Sequence, residues 1–423
     1  MARIAFLMLP EPGHLQPTFR VAARLLQCGH EVHYLTLPQF REDCETQGFK
    51  FSPMLSRISS DESGPGSLFE TLRAGSALYR SVVPRLHAEG KTVLEEIKGE
   101  VASICPDLLI VDTGMMVLES IAGLRRSPQE RTDPLHGLGF GLLQLSPCFT
   151  EMYGGLPLPT LNPGIPEAIL CPQEFDLPDA RPSQRERYFV EPSVLEWRRL
   201  VPFPWEWIDP KKRLVYCSFG TQSSAYESAN RALTTALQAF ADNSEYQLVI
   251  AAGGHVDETT FGILPKNVLL RTSVPQIEIL RRATVLITHG GLGTLKEAIL
   301  SAVPMIVMPF SVDQPYNAQR VTHHGLGCAF PPQTVTAENL RTAARQLEDS
   351  ESVHNKLREF QQIFARTESE APSIALIERL LASKNLETCG KESFESFAGR
   401  TESIERRQRY LNRRRPENLE ALR

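Results

Sequence analysis

The residues best equipped for chemistry crowd into one block, residues 273–314. The spacing predicts a strand over 284–288 that delivers His289 at its carboxyl end. Gly290, Gly291 and Gly293 follow, and a helix opens at Thr294. Ligands of open α/β sheets sit at that carboxyl edge. A helix N-terminus offers unbonded backbone N–H groups and partial positive charge, which suits a diphosphate, and glycines let the backbone come close to the anion. Thr294 adds a hydroxyl donor. Glu297, read as lying on the first helical turn, could hold ribose hydroxyls. Asp313 and Gln314 follow a further predicted strand (304–309) and pair a carboxylate with an amide, which can read sugar hydroxyls. Each has a plainer reading when taken alone: His289 as a turn residue, Glu297 as a solvated carboxylate favoured by the helix dipole, Pro275 and Gln276 as the start of a helix.

The elements that must position this block form two series. In the first, the pattern predicts a buried strand over 3–9, a loop at 10–13 and a helix over 15–28, with Phe19, Ala22, Ala23 and Leu26 at helical spacing and Gly29 as its stop. Strands over 31–37 and 49–53, an amphipathic helical stretch over 67–105 interrupted by Pro84, and a strand ending at Asp112 complete a βαβα rhythm. That rhythm implies a doubly wound parallel sheet. Residues 146–210 are crowded with proline and hold Trp197, Trp205 and Trp207, so the later part reads as an ordered linker packed by aromatics. A second series starts at Arg213, with strands over 214–219, 246–251 and 268–271 besides those named above. Helices are expected over 230–241, 293–301, 313–323 and within 337–381. The fold class is α/β, with two nucleotide-type sheets.

Composition sets the outer bounds. A chain of 423 residues suggests two or three domains at about 150 residues each. With 42% hydrophobic and 22% charged residues, wholesale disorder is excluded. A formal net charge of −5 gives no global attraction to nucleic acid or anionic membrane. No apolar run approaches the ~18 residues of a membrane span, and a soluble cytoplasmic protein is the expectation. The eight cysteines contain no CxxC pair and read as reduced core thiols. No Asp-x-Asp triplet occurs, and no metal is expected. Residues 384–423 set Arg400, Arg406, Arg407 and further arginines against Glu402, Glu405, Glu417 and Glu420. They read as a charged, disordered tail.

The run His289-x-Gly291-x-x-Thr294-x-x-Glu297, then Ala302-Val303-Pro304, then Pro309-x-x-x-Asp313-Gln314 resembles the nucleotide-sugar signature of the UDP-glycosyltransferase superfamily, glycosyltransferase family 1. The resemblance covers nearly all of residues 1–382 and is closest to bacterial natural-product and macrolide-type members. It implies the GT-B fold, two Rossmann-like doubly wound parallel-sheet domains facing a central cleft. It divides the chain into an acceptor-binding domain (1–195), a linker (196–212), a nucleotide-sugar-binding domain (213–366), a helix returning to the first domain (367–383) and the tail. By the same resemblance His289 and Thr294 contact the diphosphate, Glu297 holds the ribose, and Asp313 and Gln314 hold the sugar. Ser218, Gly220 and Thr221 form the phosphate-facing turn after the first strand of the second domain, with Gly291 and Gly293 lining the site.

The resemblance also gives a role to Gly13-His14-Leu15-Gln16-Pro17. The histidine of such a segment is the general base that deprotonates the acceptor hydroxyl, and Asp112 is the carboxylate that orients it. The chemistry is sensible, since imidazole can take a proton near neutral pH and a carboxylate on its other nitrogen fixes the tautomer. Read alone, His14 could cap a helix and Asp112 could be an N-cap. Two departures stand out. Ser273 occupies the place where many members stack an aromatic residue on the base, which leaves the base to Val274, Gln276 and the nearby Arg271, with a UDP-sugar or a TDP-sugar as donor. Arg282 stands where plant members commonly carry histidine.

The implied activity is transfer of a hexose, from UDP-glucose by the Asp313-Gln314 pair, to a hydroxyl of a lipophilic small molecule, with inversion and without a cofactor. Phe69, Leu72, Tyr79, Met115 and Phe149 are candidate acceptor contacts, or alternatively core. The partners are therefore the donor and the acceptor, with no nucleic acid and no stable membrane span; the sequence leaves the oligomeric state open. The rivals are a GT-B nucleotide-sugar epimerase, which needs cleft carboxylates and not His14, and a non-catalytic nucleotide-sugar-binding auxiliary protein. A dehydrogenase is excluded because neither half has GxGxxG after its first strand.

Overall fold

The computed structural model describes residues 1–9, 12–54, 96–113, 141–146, 152–153, 156–157, 165–178, 186–194, 201–220, 227–253, 262–310 and 313–388. Uninterrupted apolar runs become strands covered on both faces, as a parallel sheet requires. In the first lobe β1 (Arg3–Leu7) leads to α1 (Pro12–Gln27), β2 (Glu31–Thr36), α2 (Arg41–Glu45), β3 (Lys50–Pro53), β4 (Leu108–Asp112) and β5 (Gly141–Ser146). A short antiparallel pair, β6 (Met152–Tyr153) and β7 (Leu156–Pro157), precedes β8 (Glu167–Ile169) and β9 (Arg187–Phe189). The main sheet runs β3-β2-β1-β4-β5-β8-β9 with every neighbouring pair parallel. Its order reverses between β1 and β4, where crossovers leave on opposite faces and a crevice opens at the carboxyl edge.

The second lobe repeats this logic. β10 (Arg213–Ser218), α3 (Glu227–Phe240), β11 (Tyr246–Ala251), β12 (Val268–Arg271), α4 (Gln276–Leu280), β13 (Val285–Thr288), α5 (Leu292–Leu300), β14 (Met305–Val307), α6 (Gln314–His323) and β15 (Gly327–Ala329) follow in turn. The chain ends its described part in α7 (Ala337–Asp349), α8 (Glu351–Glu370) and α9 (Pro372–Thr388). The sheet order is β12-β11-β10-β13-β14-β15, again all parallel, with its reversal between β10 and β13.

Several expectations need correction. The first helix starts at Pro12, not after a loop at 10–13, so His14 lies in its first turn. Proline is well suited to open a helix, because its missing N–H would have had no partner there. The proline-rich stretch supplies two strands of the first sheet, β8 and β9, each three residues long and too short to show a period. β15 was also hidden, since Gly-Cys-Ala carries little strand preference. Cys28 and Cys105 are exposed, whereas Cys44, Cys171 and Cys217 are buried thiols. Of the helical stretch predicted over 67–105, residues 96–104 are helical, Cys105 leaves the helix in left-handed backbone (φ +52°), and residues 67–95 lie outside the described residues, as does the tail beyond residue 388. Among the described residues no helix is long and apolar enough to cross a membrane, and no three His, Cys, Asp or Glu side chains group to hold a metal ion.

Two sets of contacts tie the lobes. The stretch after β8 enters the second lobe: Phe175 is fully buried and packs edge-on against Phe360 and Phe364 and flat against His324. Around it, the buried Lys296 ammonium donates to the Leu170 carbonyl (3.0 Å), and the buried Arg320 guanidinium grips Asp176 through Nε (3.1 Å) and Nη2 (2.7 Å). In the other direction α9 lays Leu376, Ile377 and Leu381 into the core of the first lobe. Just before it, in the last turn of α8, Glu368 meets Arg20 (2.7 Å) and Arg24 (3.0 Å) of α1. At the start of α9 the Ser373 N–H donates to Glu191 (3.0 Å), which also accepts from Arg24 (3.2 Å). Replacing a fully buried aromatic with alanine leaves a cavity as well as losing transfer energy. Phe175→Ala is expected to lower the unfolding free energy of the full chain by about 3–5 kcal/mol, measured by urea denaturation.

Candidate functional site

The crevice of the first lobe is set by two adjacent strands. β1 and β4 pair in parallel, with Leu7 opposite Val111, so the start of α1 and the end of β4 meet at the same edge. Asp112, fully buried, closes β4, and Nδ1 of His14 lies 3.0 Å from its Oδ2 and 3.2 Å from its Oδ1. An ionised carboxylate only accepts, so the proton on this contact belongs to Nδ1, and Nε2 is left as the acceptor. His14 is partly exposed, its side chain retaining 16% of its accessible surface. A histidine so held can take a proton from a bound group and share the resulting charge with a carboxylate.

In the second lobe the turns after β10 and β13 converge on His289. Ser218 pairs with Thr288 across these strands, which brings Gly220 beside the imidazole. A Cβ on Gly220 would lie 2.8 Å from Cε1 of His289, and one on Gly291 would lie 2.5 Å from Nε2. Gly220 (φ +77°) and Gly290 (φ +89°) also adopt backbone that side chains disfavour. The ring is thus clasped by two glycines, and burial lowers its pKa to about 4, a backbone hydrogen bond with Ser218 opposing that shift. Gly291 caps α5, so its first N–H groups open onto the same space, with Gly293 and Thr294 in its first turn.

Glu297 corrects the sequence reading. α5 begins at Leu292, which places Glu297 in the second turn, and it is only 3% exposed. Its Oε2 accepts from the Gln276 amide at 2.5 Å, and Gln276 in turn accepts from the Tyr216 hydroxyl at 2.8 Å. Gln276 both opens α4 and sits beside the candidate ribose carboxylate, with Val274 buried just before it. Asp313 caps α6 and Gln314 begins it. Gln314 Oε1 accepts the Phe310 N–H at 2.8 Å, which fixes its amide. Burial raises the Asp313 pKa, while the Asn317 side chain, His14 and Arg320 each act to lower it. His14 of the first lobe thus lies within electrostatic reach of Asp313 in the second.

The structure therefore brings His14 and Asp112 together in one lobe and Ser218, Gly220, His289, Gly291, Thr294, Gln276, Glu297, Asp313 and Gln314 in the other. Thr221, Phe69, Leu72, Tyr79, Met115 and Phe149 lie outside the described residues. Tyr216, Asn317 and Arg320 went unnoticed in the sequence. Tyr216 is one of several apolar-flanked strand residues, but Asn317 and Arg320 carried a signal, being four and seven residues after Asp313 on one helical face.

Known proteins align with much of this sequence and share its fold. Residues 236–371 match the family described as the erythromycin biosynthesis protein CIII-like C-terminal domain. The NDP-glycosyltransferase YjiC of Bacillus licheniformis is 24% identical over 395 residues, covering 90% of this chain and 98% of that protein. The demethyllactenocin mycarosyltransferase of Streptomyces fradiae is 25% identical over 421 residues, covering 90% of this chain and 87% of that protein. Among solved structures, the glycotransferase of kitacinnamycin superposes with a TM-score of 0.67 at 23% identity, covering 90% of this chain and 98% of that one.

The lowered pKa of His289 makes a prediction about stability. Between pH 6.5 and about 4 the unfolded chain binds a proton at this ring that the folded chain refuses, so stability falls as pH falls through that window. The expected contribution at the acid end is at most about 3 kcal/mol, an upper bound because the ring keeps an exposed edge. Urea unfolding of the wild type and His289→Asn at pH 7 and pH 4.5 checks it: the variant should lose less stability on acidification.

Proposed function

We propose that this chain, a glycosyltransferase of the GT-B fold, moves a hexose from a nucleoside-diphosphate sugar to a hydroxyl of a lipophilic small molecule, with inversion at the anomeric carbon. The observation that carries the reading is His14, bonded through Nδ1 to the buried Asp112 at the carboxyl edge of the first sheet. The names of the relatives, one of them acting on demethyllactenocin, support an acceptor of natural-product type. UDP-glucose is the donor that the Asp313-Gln314 pair favours, with a TDP-sugar the second choice.

In the proposed reaction Nε2 of His14 takes the acceptor's hydroxyl proton as the oxygen attacks the anomeric carbon. The carbon–oxygen bond to the diphosphate breaks, and its electron pair leaves with the nucleoside diphosphate. Asp112 keeps the imidazole in the accepting tautomer and stabilises the imidazolium that forms. On the other face, the leaving group's charge meets the N–H groups at the start of α5, the hydroxyl of Thr294 and the ring of His289. Glu297 holds the ribose, with Gln276 aligning its carboxylate, while Asp313 and Gln314 orient the hexose hydroxyls.

The test is an acceptor library offered with UDP-glucose and with TDP-glucose, read by mass spectrometry. The wild type should add one hexose to at least one acceptor. His14→Ala should lower kcat by about 10²–10⁴-fold while the donor affinity, measured by calorimetry, changes less than about twofold. Binding of nucleotide sugar without transfer to any acceptor would overturn the enzymatic reading. Full turnover by His14→Ala would overturn the role of the base.

A further inference from the structure

Asn317 lies in the middle of α6, fully buried, one helical turn after Asp313. Its amide nitrogen has two hydrogens, and both are used on elements of the donor site. One goes to the Gly290 carbonyl (2.9 Å), on the turn that carries His289; the other goes to Oδ2 of Asp313 (2.8 Å). Its amide oxygen faces Nη1 of Arg320 at 3.4 Å, and Arg320 is itself fastened to Asp176. Both ends of the amide are therefore specified. The nitrogen side sees only acceptors and the oxygen side a cation, so the group cannot flip without losing every partner.

We propose that Asn317 is a positioning residue of the donor site, tying the diphosphate turn at Gly290 to the sugar-facing carboxylate of Asp313 so that the two keep one spacing. The proposal rests on the donor-site reading above. No other amino acid of this size supplies two donors on one atom with an acceptor behind them. Aspartate would set a second carboxylate against Asp313, and leucine would leave the Gly290 carbonyl and the Asp313 carboxylate without this donor in a buried place. Arg320 acts behind it: the guanidinium spans Asn317 and the first-lobe residue Asp176, so the tie is braced from the segment that joins the lobes.

A role in positioning also predicts a pH signature. The titratable and charged groups within electrostatic reach of Asp313 are Arg320 from α6 and, once it carries a proton, His14 from α1; both favour its ionised form, as does the Asn317 N–H. With that N–H removed, Asp313 should take up its proton at a higher pH than in the wild type. The rise in donor KM on acidification then begins at higher pH.

The experiment compares wild type, Asn317→Ser, which is small and keeps one donor, and Asn317→Asp, which is nearly isosteric and has none. Asp313→Asn and His289→Ala serve as controls. Binding of UDP, UDP-glucose and TDP-glucose is measured by calorimetry, and donor KM and kcat are followed from pH 5 to pH 9. The expected result is a roughly 10–100-fold loss of nucleotide-sugar affinity in Asn317→Asp, a smaller loss for UDP alone, an intermediate effect in Asn317→Ser, and an acid limb moved to higher pH with kcat held within a few-fold. If folded variants bind both sugars as the wild type does and keep its pH profile, with only a lowered Tm, Asn317 is structural and the proposal is overturned. If the Asp313→Asn and His289→Ala controls leave sugar binding unchanged, the donor-site reading fails instead.

Discussion

Asp112 is fully buried in the first lobe, and Nδ1 of His14 reaches its carboxylate at 3.0 Å. A carboxylate stripped of water is costly unless it is paired, so the site and the fold around it are not independent. The pairing requires the first turn of α1 to lie against the end of β4, although 98 residues separate the two in the chain. Only the strand order, which seats β4 directly beside β1, makes that possible. The same topology leaves Nε2 toward the crevice and Nδ1 toward the sheet, and so decides which nitrogen can act as a base.

The second lobe solves a complementary problem. Under the proposed function it must hold negative charge with neutral groups. His289 is lodged between Gly220 and Gly291 so tightly that it resists protonation, and α5 opens its N-terminus beside it. A rigid ring, free N–H groups and a helix dipole need little rearrangement when an anion arrives. The buried chain Tyr216–Gln276–Glu297 does for one carboxylate what Asn317 does for another, fixing the direction in which each can accept.

Neither crevice suffices alone, and the lobes are joined by two exchanges of chain. The stretch carrying Phe175 and Asp176 is embedded in the second lobe, and α9 is embedded in the first. Each exchange combines an apolar plug with buried ion pairs. The apolar part supplies stability, while the ion pairs, which contribute little net energy once desolvation is counted, accept only one arrangement of partners.

Much of this was legible in the sequence. Long apolar runs, glycine stops and the alternation of period gave the two series of strands and helices, because a strand buried on both faces must be apolar throughout. The block from His289 to Gln314 disclosed its turns and helix starts through spacing, since these are local structures. What stayed hidden is non-local. Glu297 read as a solvated carboxylate in isolation, and only packing showed it buried against Gln276. Three-residue strands such as β8 carry too little pattern to stand out among prolines, and their pairing is fixed by the sheet already in place. Asn317 is one polar residue in a helix until the fold sets Gly290 above it. The sequence alone determined which groups the chain possesses and which local turns present them. The tertiary structure decided which groups meet, because burial, ionisation and hydrogen-bond direction depend on neighbours that the order of residues does not bring together.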